Sequence, residues 1–232
     1  MPRRARIAIA GLPHHIIQRG HCRNPVFFSD ADRADYLATL GECRAMFELR
    51  VYAYCLMRNH VHLLVDPGNE AEKLSLLMKR LAGRHTRRLN AAHGWSGSLW
   101  EGRFKCSPID SERYLLICGR YVDLNPVRAN IVERPEAFVW SSYRARAGHT
   151  SSSLLDADPA LQALAARPDR QQEIYRKLAC TPLTAAELEL VRGAARRNQL
   201  TGDNDFVETV RAEKGLDVPA RSRGRPRKTR TK

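Results

Sequence analysis

Tyr54-Cys-Leu-Met-Arg-Asn-His-Val-His-Leu-Leu-Val65 is the stretch on which the reading of this chain turns. Its second half, from His60, has the apolar character of a β-strand. Strand side chains alternate between faces, so His60 and His62 project to the same side, roughly 7 Å apart along the backbone. Val61 points the other way, into a core. Two imidazoles on one strand face form a ready-made pair of metal ligands, although a lone His-x-His is a weak signal by itself.

Working outward, Arg50 to Met57 is rich in Val, Tyr and Leu and reads as a strand. Arg58-Asn59 breaks it, and Asp66-Pro67-Gly68 stops the strand that starts at His60. The two strands should pair as an antiparallel hairpin. Upstream, residues 12–20 read as a first strand ended by Gly20. Ser29-Asp-Ala-Asp32 resembles a capping box before a helix whose apolar stripe is Tyr36, Leu37, Leu40, Cys43 and Phe47.

Downstream, a second helix is expected from about Glu70 to Asn90, burying Leu74, Leu77 and Leu81. Lys73, Arg80, Arg84 and Arg87 share another of its faces, with Lys79 and Arg88 at the edge. No carboxylate follows Glu72 in that helix to pair with them, which favours phosphate contact over an ordinary solvated face. Trp95 to Ile109 reads as a loop entering a strand. Asp110 or Ser111 can cap a third helix carrying Tyr114, Leu115, Ile117, Cys118, Tyr121 and Val122. Pro126 disfavours helical geometry at Asn125, so that helix should end there or just before. Phe138, Trp140 and Tyr143 are expected to close the core.

The order strand, helix, strand, strand, helix, strand predicts an α+β fold, a ferredoxin-like sandwich with a central antiparallel sheet and helices on one sheet face. Its end falls near Gly148, and residues 149–153 read as a linker. Residues 154–216 are wholly helical in pattern and read as a DNA-binding or accessory domain. Thr184-Ala-Ala-Glu187 is a capping box, and the last two helices form a helix-turn-helix or an ordinary helical hairpin. The final fourteen residues hold seven basic side chains and no acidic one. They are expected to be disordered in isolation, and Arg223-Gly-Arg225-Pro-Arg227 has the form of an AT-hook core.

Composition sets outer bounds. The 232 residues suffice for one large domain or a medium one with a small one, and 43% hydrophobic content can build a core. No apolar run is long enough to cross a bilayer, and the stretch after Met1 is too short for a secretory signal. A cytoplasmic, nucleoid-associated protein without membrane contact is the expectation. The six cysteines are scattered without Cys-x-x-Cys, which points to reduced thiols. Cys55, five residues before His60, reads as core filling rather than a ligand. A net charge of +14 and an isoelectric point near 10.0 call for a polyanionic partner, most simply nucleic acid.

Tyr121 and Asn125 are four residues apart and share a helical face if the last turn holds. A tyrosine oxygen is a competent nucleophile towards a phosphodiester when it is positioned and nearby charge is neutralised. The bland alternative makes Tyr121 a core residue and Asn125 a helix cap.

Taken together, the His60-Val61-His62 stretch, Trp100-Glu-Gly-Arg-Phe-Lys105 and Arg120-Tyr-Val-Asp-Leu-Asn-Pro-Val-Arg-Ala129 resemble the HUH single-tyrosine transposases, most of all the branch called REP-associated tyrosine transposases. Arg19-Gly20, Val26-Phe27-Phe28 and Trp140-Ser-Ser-Tyr143 extend the resemblance over residues 12–145. The resemblance implies cleavage and rejoining of single-stranded DNA beside a hairpin formed by a repetitive palindrome. By position, Tyr121 would attack the scissile phosphate, form a 5′-phosphotyrosine and free a 3′-hydroxyl. His60 and His62 would bind Mg2+ or Mn2+, with Asn125 as third ligand, although imidazoles by themselves point to zinc or another borderline metal.

Arg19, Arg58, Arg103 and Lys105, in or beside these motifs, join Lys73, Arg80, Arg84, Arg87, Arg223, Arg225 and Arg227 as candidate DNA contacts. Single-stranded and hairpin DNA are the expected partners of a monomer or homodimer. Two departures stand out. Arg58 replaces the family's usual proline, adding a cation near the metal pair, and Asn130 replaces a glycine, keeping a residue that tolerates left-handed geometry. Two rivals remain open: a catalytically silent protein that binds repetitive palindromes, and a metal phosphodiesterase in which water attacks.

Overall fold

Every residue from Val51 to Met57 is buried, so that strand offers apolar side chains to both faces and the sheet needs cover on both sides. The computed structural model describes residues 6–214. Strand β2 (Arg50–Met57) and strand β3 (His60–Asp66) form the expected antiparallel hairpin across Arg58-Asn59. Strand β1 (His14–Arg19) pairs with the other edge of β3, and strand β4 (Lys105–Pro108) pairs with β1. The sheet order is β2-β3-β1-β4, antiparallel throughout, which is the order of a ferredoxin-like sheet.

Helices α1 (Asp30–Met46) and α2 (Lys73–His93) cover one face. Tyr36, Leu40, Leu74, Leu77 and Leu81 meet Ile16, Tyr54, Leu56, Val61 and Leu63 there. Ser29 and Asp32 form the capping box at the start of α1. Helix α3 (Glu112–Asp123) packs on the opposite face, where Leu115, Cys118 and Val122 meet Tyr52, Cys55, Met57 and Leu64. Helices therefore lie on both faces rather than one. The unbroken apolar run of β2 was the sequence signal for this.

Helix α3 is followed at once by α4 (Asn125–Arg128), and α5 spans Tyr143–Arg146. Before α5, residues 140–142 line the free edge of β2: Leu56 N donates to Trp140 O, and Ser142 N donates to Tyr54 O, both at 2.9 Å. Asn130 takes a left-handed φ of 53°, so the turn keeps the geometry that a glycine would supply.

The compact unit that contains the sheet runs on to Gly202, beyond the linker expected at 149–153. Helices α6 (Pro159–Gln162), α7 (Pro168–Cys180) and α8 (Ala185–Arg197) belong to it. The physical reason is the open edge of β4. Thr201 N donates to Pro108 O at 2.8 Å, Ser107 Oγ donates to Gln199 O at 2.5 Å, and Cys106 N donates to Asn198 Oδ1 at 3.1 Å. The segment after α8 thus satisfies edge groups of β4.

A second unit begins at Asp203. Within it, helix α9 (Asn204–Lys214) starts with Asp203 Oδ1 accepting from Phe206 N at 2.9 Å. Of the two helices behind the helix-turn-helix expectation, α8 is in the first unit and α9 in the second. The basic tail with Arg223, Arg225 and Arg227 lies outside the described residues. No helix among the described residues is long and apolar enough to cross a membrane.

Candidate active site

Alternation along β3 places His60 and His62 on the α3 face of the sheet, with ring centroids 5.0 Å apart. Each ring is held from behind at Nδ1. Asn59 Nδ2 donates to Arg23 O at 3.0 Å, so its Oδ1 is left to accept from His60 Nδ1 at 2.6 Å. His62 Nδ1 lies 2.8 Å from Nε2 of buried His15 on β1, and the two rings stack with centroids 5.1 Å apart. With Nδ1 engaged on both rings, both Nε2 lone pairs are directed elsewhere. That is the outer-shell arrangement that orients metal-binding imidazoles.

Helix α4 supplies the third polar group. Helix α3 ends at Asp123, just before Asn125 as expected, and Asn125 opens α4 with Pro126 at its second position, where the missing N–H costs nothing. The four-residue offset from Tyr121 is therefore kept. Asn125 Nδ2 sits 2.9 Å from His62 Nε2. With that amide donating to Nε2, the His62 hydrogen resides on Nδ1 and is accepted by His15.

Tyr121 brings its ring edge-on to both imidazoles, 5.7 Å from His62 and 5.6 Å from His15. Arg128, seven residues along, places its guanidinium carbon 4.1 Å from the centre of the Tyr121 ring and donates to the Tyr121 carbonyl at 2.8 Å. These groups open on a cleft of about 940 Å3. Among the described residues its walls carry Arg19, Arg23, Arg103, Lys105, Arg128, Arg192 and Arg196 against a single carboxylate, Glu101. A cleft of one sign concentrates a polyanion. Burial, and then Arg19, pushes the His60 imidazole down to about 4. Burial and then His60, His15 and the nearby arginines push His62 down as well. Both rings are neutral at pH 7, as metal ligation requires.

A family model described as "Transposase IS200 like" matches residues 8–125, just over half the chain. The chain belongs to the IS200-like transposase family. No curated protein matches it. Among solved structures, a REP-associated tyrosine transposase bound to a REP hairpin is 14% identical, with a TM-score of 0.54, covering 69% of this chain and 93% of that one. That likeness is one of fold. A second, a protein of Deinococcus radiodurans R1 described as a candidate transposase, is 23% identical, covers 50% of this chain and 92% of that one, and has a TM-score of 0.34.

In this transposase the family match ends at Asn125, yet the cleft continues past it. Arg128, and Arg192, Ala195 and Arg196 of α8, line it without having been singled out from sequence. Arg128 was findable, since seven residues is two helical turns from Tyr121. Arg192 and Arg196 are an ordinary i,i+4 pair whose role depends on where α8 docks. Lys105 Nζ helps fix that position by donating to Arg196 O at 3.1 Å. His15 carries no local signal, because it meets His62 across 47 positions, whereas Asn59 is the turn residue directly before His60.

Other expected contacts lie elsewhere. Helix α2 is on the sheet face away from the histidines, and none of Lys73, Arg80, Arg84 or Arg87 lines the cleft. The absence of partners for its cations does not hold in three dimensions. Lys73 meets Glu70 at 3.1 Å and Glu48 at 3.7 Å, Arg84 meets Glu42 at 2.6 Å, and Arg88 meets Asp32 at 2.5 Å. Those of Glu42, Glu48 and Asp32 come from α1 and the turn after it, which within-helix spacing does not reveal. Arg58 is exposed in the β2–β3 turn, outside the cleft. All six cysteines are free thiols, and Cys55 is fully buried in the core as expected.

Proposed function

We propose that this transposase cleaves and rejoins single-stranded DNA beside a hairpin, using Tyr121 as the nucleophile. The observation that carries the reading is the convergence of the Tyr121 ring, two neutral imidazoles and the Asn125 carboxamide in one cationic cleft. The fold neighbour bound to a REP hairpin points to the same kind of substrate.

In the forward step the Tyr121 oxygen bonds to the scissile phosphorus and the bond from phosphorus to the 3′-oxygen breaks. The phenolic proton passes to solvent, and the departing 3′-oxygen takes one up. The products are a 5′-phosphotyrosine and a free 3′-hydroxyl. Because the ester bond is conserved, attack by a 3′-hydroxyl on the phosphotyrosine reverses the step without a nucleotide cofactor.

The cleft arginines hold the phosphates on either side of the reacting one, and Arg128 adds positive charge next to the nucleophile. The family's divalent metal fits this donor set: Nε2 of His60 and His62, and the Asn125 carboxamide oxygen once the amide turns its Nδ2 away from His62 Nε2, would hold Mg2+ or Mn2+, which would stabilise charge on the phosphate oxygens. No group of three or more His, Cys, Asp or Glu able to hold a metal is found among the described residues. The third donor in this reading would be a carboxamide, and substrate phosphate would supply further oxygen donors.

Helix α8 and the basic tail would extend the phosphate contacts of a DNA-acting protein of the cytoplasm. Incubation of the full chain with hairpin DNA carrying a single-stranded flank, with Mg2+ or Mn2+, should give a covalent adduct mapping to Tyr121. Tyr121→Phe should bind the same DNA and form none. Cutting by the wild-type chain without any protein-linked product would rule out the tyrosine role.

A further inference from the structure

Phe28 and Trp95 are each 45% exposed, and they touch each other. Their ring centroids are 5.2 Å apart, and exposed His93 completes the group. His93 stacks on Trp95 at 4.4 Å with 18° between the planes, while Phe28 lies 5.3 Å from His93. The remaining exposed large hydrophobics among the described residues, Met46, Leu76, Ile131 and Val139, are aliphatic. This aromatic surface belongs to neither the core clusters nor the cleft.

The backbone holds it in place. Trp95 N donates to Asn90 O at 2.9 Å, pinning Trp95 over the end of α2, and Asn90 Nδ2 donates to Gly97 O at 3.1 Å. Phe28 N donates to the Asp32 carboxylate at 2.8 Å as part of the α1 cap. Loop backbone anchored in this way loses little conformational entropy when something stacks on the rings it carries.

Its position is informative. Phe28 ends the loop whose other part carries Arg23 into the cleft, and Trp95 begins the loop that carries Glu101 and Arg103 there. The two loops are tied together beside the histidines. His21 N donates to Leu99 O at 3.0 Å, Glu101 N donates to Arg19 O at 2.8 Å, and Gly20 N donates to Asn59 O at 2.9 Å. Gly20 permits this crowding, since a Cβ there would meet Asn24 O at 2.2 Å. Arg23 and Phe28 are five residues apart, so their Cα atoms are separated by at most about 17 Å. That is about five nucleotides of a single strand at stacked spacing. Exposed Arg58 adjoins the same loop, its carbonyl accepting from Val26 N and Phe27 N.

Resting on the reading of the cleft as a single-strand DNA site, we infer that Phe28, His93 and Trp95 form a stacking platform for one unpaired nucleobase flanking the scissile phosphate. A flat ring surface beside a cationic track is how single strands are held without reading sequence. A protein partner fits less well. Three half-exposed rings offer roughly 300 Å2, well short of the ~1,000 Å2 of a specific protein interface.

The test is equilibrium binding of the full chain, in EDTA so that no cutting occurs, to a synthetic hairpin whose single-stranded flank carries an abasic residue at each position in turn. One position within about five nucleotides of the cleavage site should weaken wild-type binding roughly 5- to 100-fold. Phe28→Ala/Trp95→Ala should lose a similar factor on the intact flank and become insensitive to the abasic residue. Trp95→Phe should keep most of the sensitivity, and Trp95→Leu, which conserves apolar bulk without a π face, should lose it. An abasic profile flat in the wild type, or identical in the alanine variant, overturns the inference, as does an equal loss of affinity for a hairpin lacking any flank. Adduct formation is scored separately, so a chain that shows the abasic effect but no Tyr121 adduct retains the platform and loses the nucleophile.

Discussion

Replacing Asp123 should destabilise the transposase severely, because helix α3, which carries Tyr121, is anchored through it. Asp123 is the last residue of α3, two positions after Tyr121, and its side chain is fully buried. Arg146 Nε lies 3.0 Å from its carboxylate, Ser142 Oγ donates to it at 2.6 Å and Tyr175 OH donates at 2.6 Å. Arg146 is shared with buried Asp158 and donates to Tyr52 O at 2.7 Å. The cluster therefore ties α3 to β2, α5 and α7.

Asp123→Ala leaves a buried guanidinium with one carboxylate instead of two and removes the acceptor of two hydroxyls. Breaking a buried ion pair costs about 3–5 kcal/mol, and an orphaned buried polar group adds about 1–3 kcal/mol. Asp158 retains part of the compensation, so about 4 kcal/mol is expected. For a unit of this size that corresponds to a fall in Tm of about 10 °C. The assay is urea unfolding followed by circular dichroism, with the midpoint compared at constant m. Asp123→Asn and Asp158→Asn should each cost less than their combination implies, since only the double variant leaves Arg146 with no carboxylate. The excess should reach at least ~1 kcal/mol. A cost below ~1 kcal/mol for Asp123→Ala, or additivity within ~0.5 kcal/mol, would refute the reasoning.

Other outcomes concern the site and its surroundings. His15→Leu should weaken Mn2+ binding about 10- to 100-fold, as loss of an outer-shell partner does, while hairpin binding is unchanged. Nitrogen NMR of the His62 ring would report the loss of a fixed Nδ1–H, and His15→Gln, which restores an acceptor, should recover part of the affinity. Arg192→Gln and Arg196→Gln should each lower the slope of log K against log salt for DNA by about 0.7–0.9, with the adduct still formed at high protein concentration. An unchanged slope removes α8 from the interface.

Acid should destabilise the fold through buried histidines. Burial lowers His14 to about 4, partly offset by its bond to Leu12 O. The unfolded chain takes up that proton near 6.5 and the folded chain does not, so this contribution is complete above pH 6.5 and is lost as pH falls towards 4. His14→Gln should reduce the dependence in that window by up to about 1.4 kcal/mol per pH unit. Equal slopes in the two proteins would exclude His14 as the source.

Much of the site could be read from residues near one another in the chain. Strand alternation fixes that His60 and His62 share a face, and helical spacing relates Tyr121 to Asn125. Both are properties of local geometry that hold whatever the rest of the chain does. The capping boxes at Ser29 and Thr184 have the same character, each involving atoms three residues apart. His15 reaches His62 across 47 positions, and Asp156 meets Arg44 across 112. Such pairs exist only through strand register and helix docking, which no local pattern encodes.

The ion pairs of α2 make the same point in reverse. Read along its own helix, Arg84 has no carboxylate in reach, yet Glu42 stands beside it because α1 and α2 pack side by side on the sheet. The run from Tyr54 to Val65 thus settled a hairpin, its break at Arg58-Asn59 and the common face of two imidazoles, since each follows from the period of a strand. Which side chain holds His62 from behind, which arginines wall the cleft and where α8 lies were decided by β4's open edge and the pairing of β1 between β3 and β4. Those are long-range satisfactions of backbone hydrogen bonds and buried area, and they are defined only once the chain has folded.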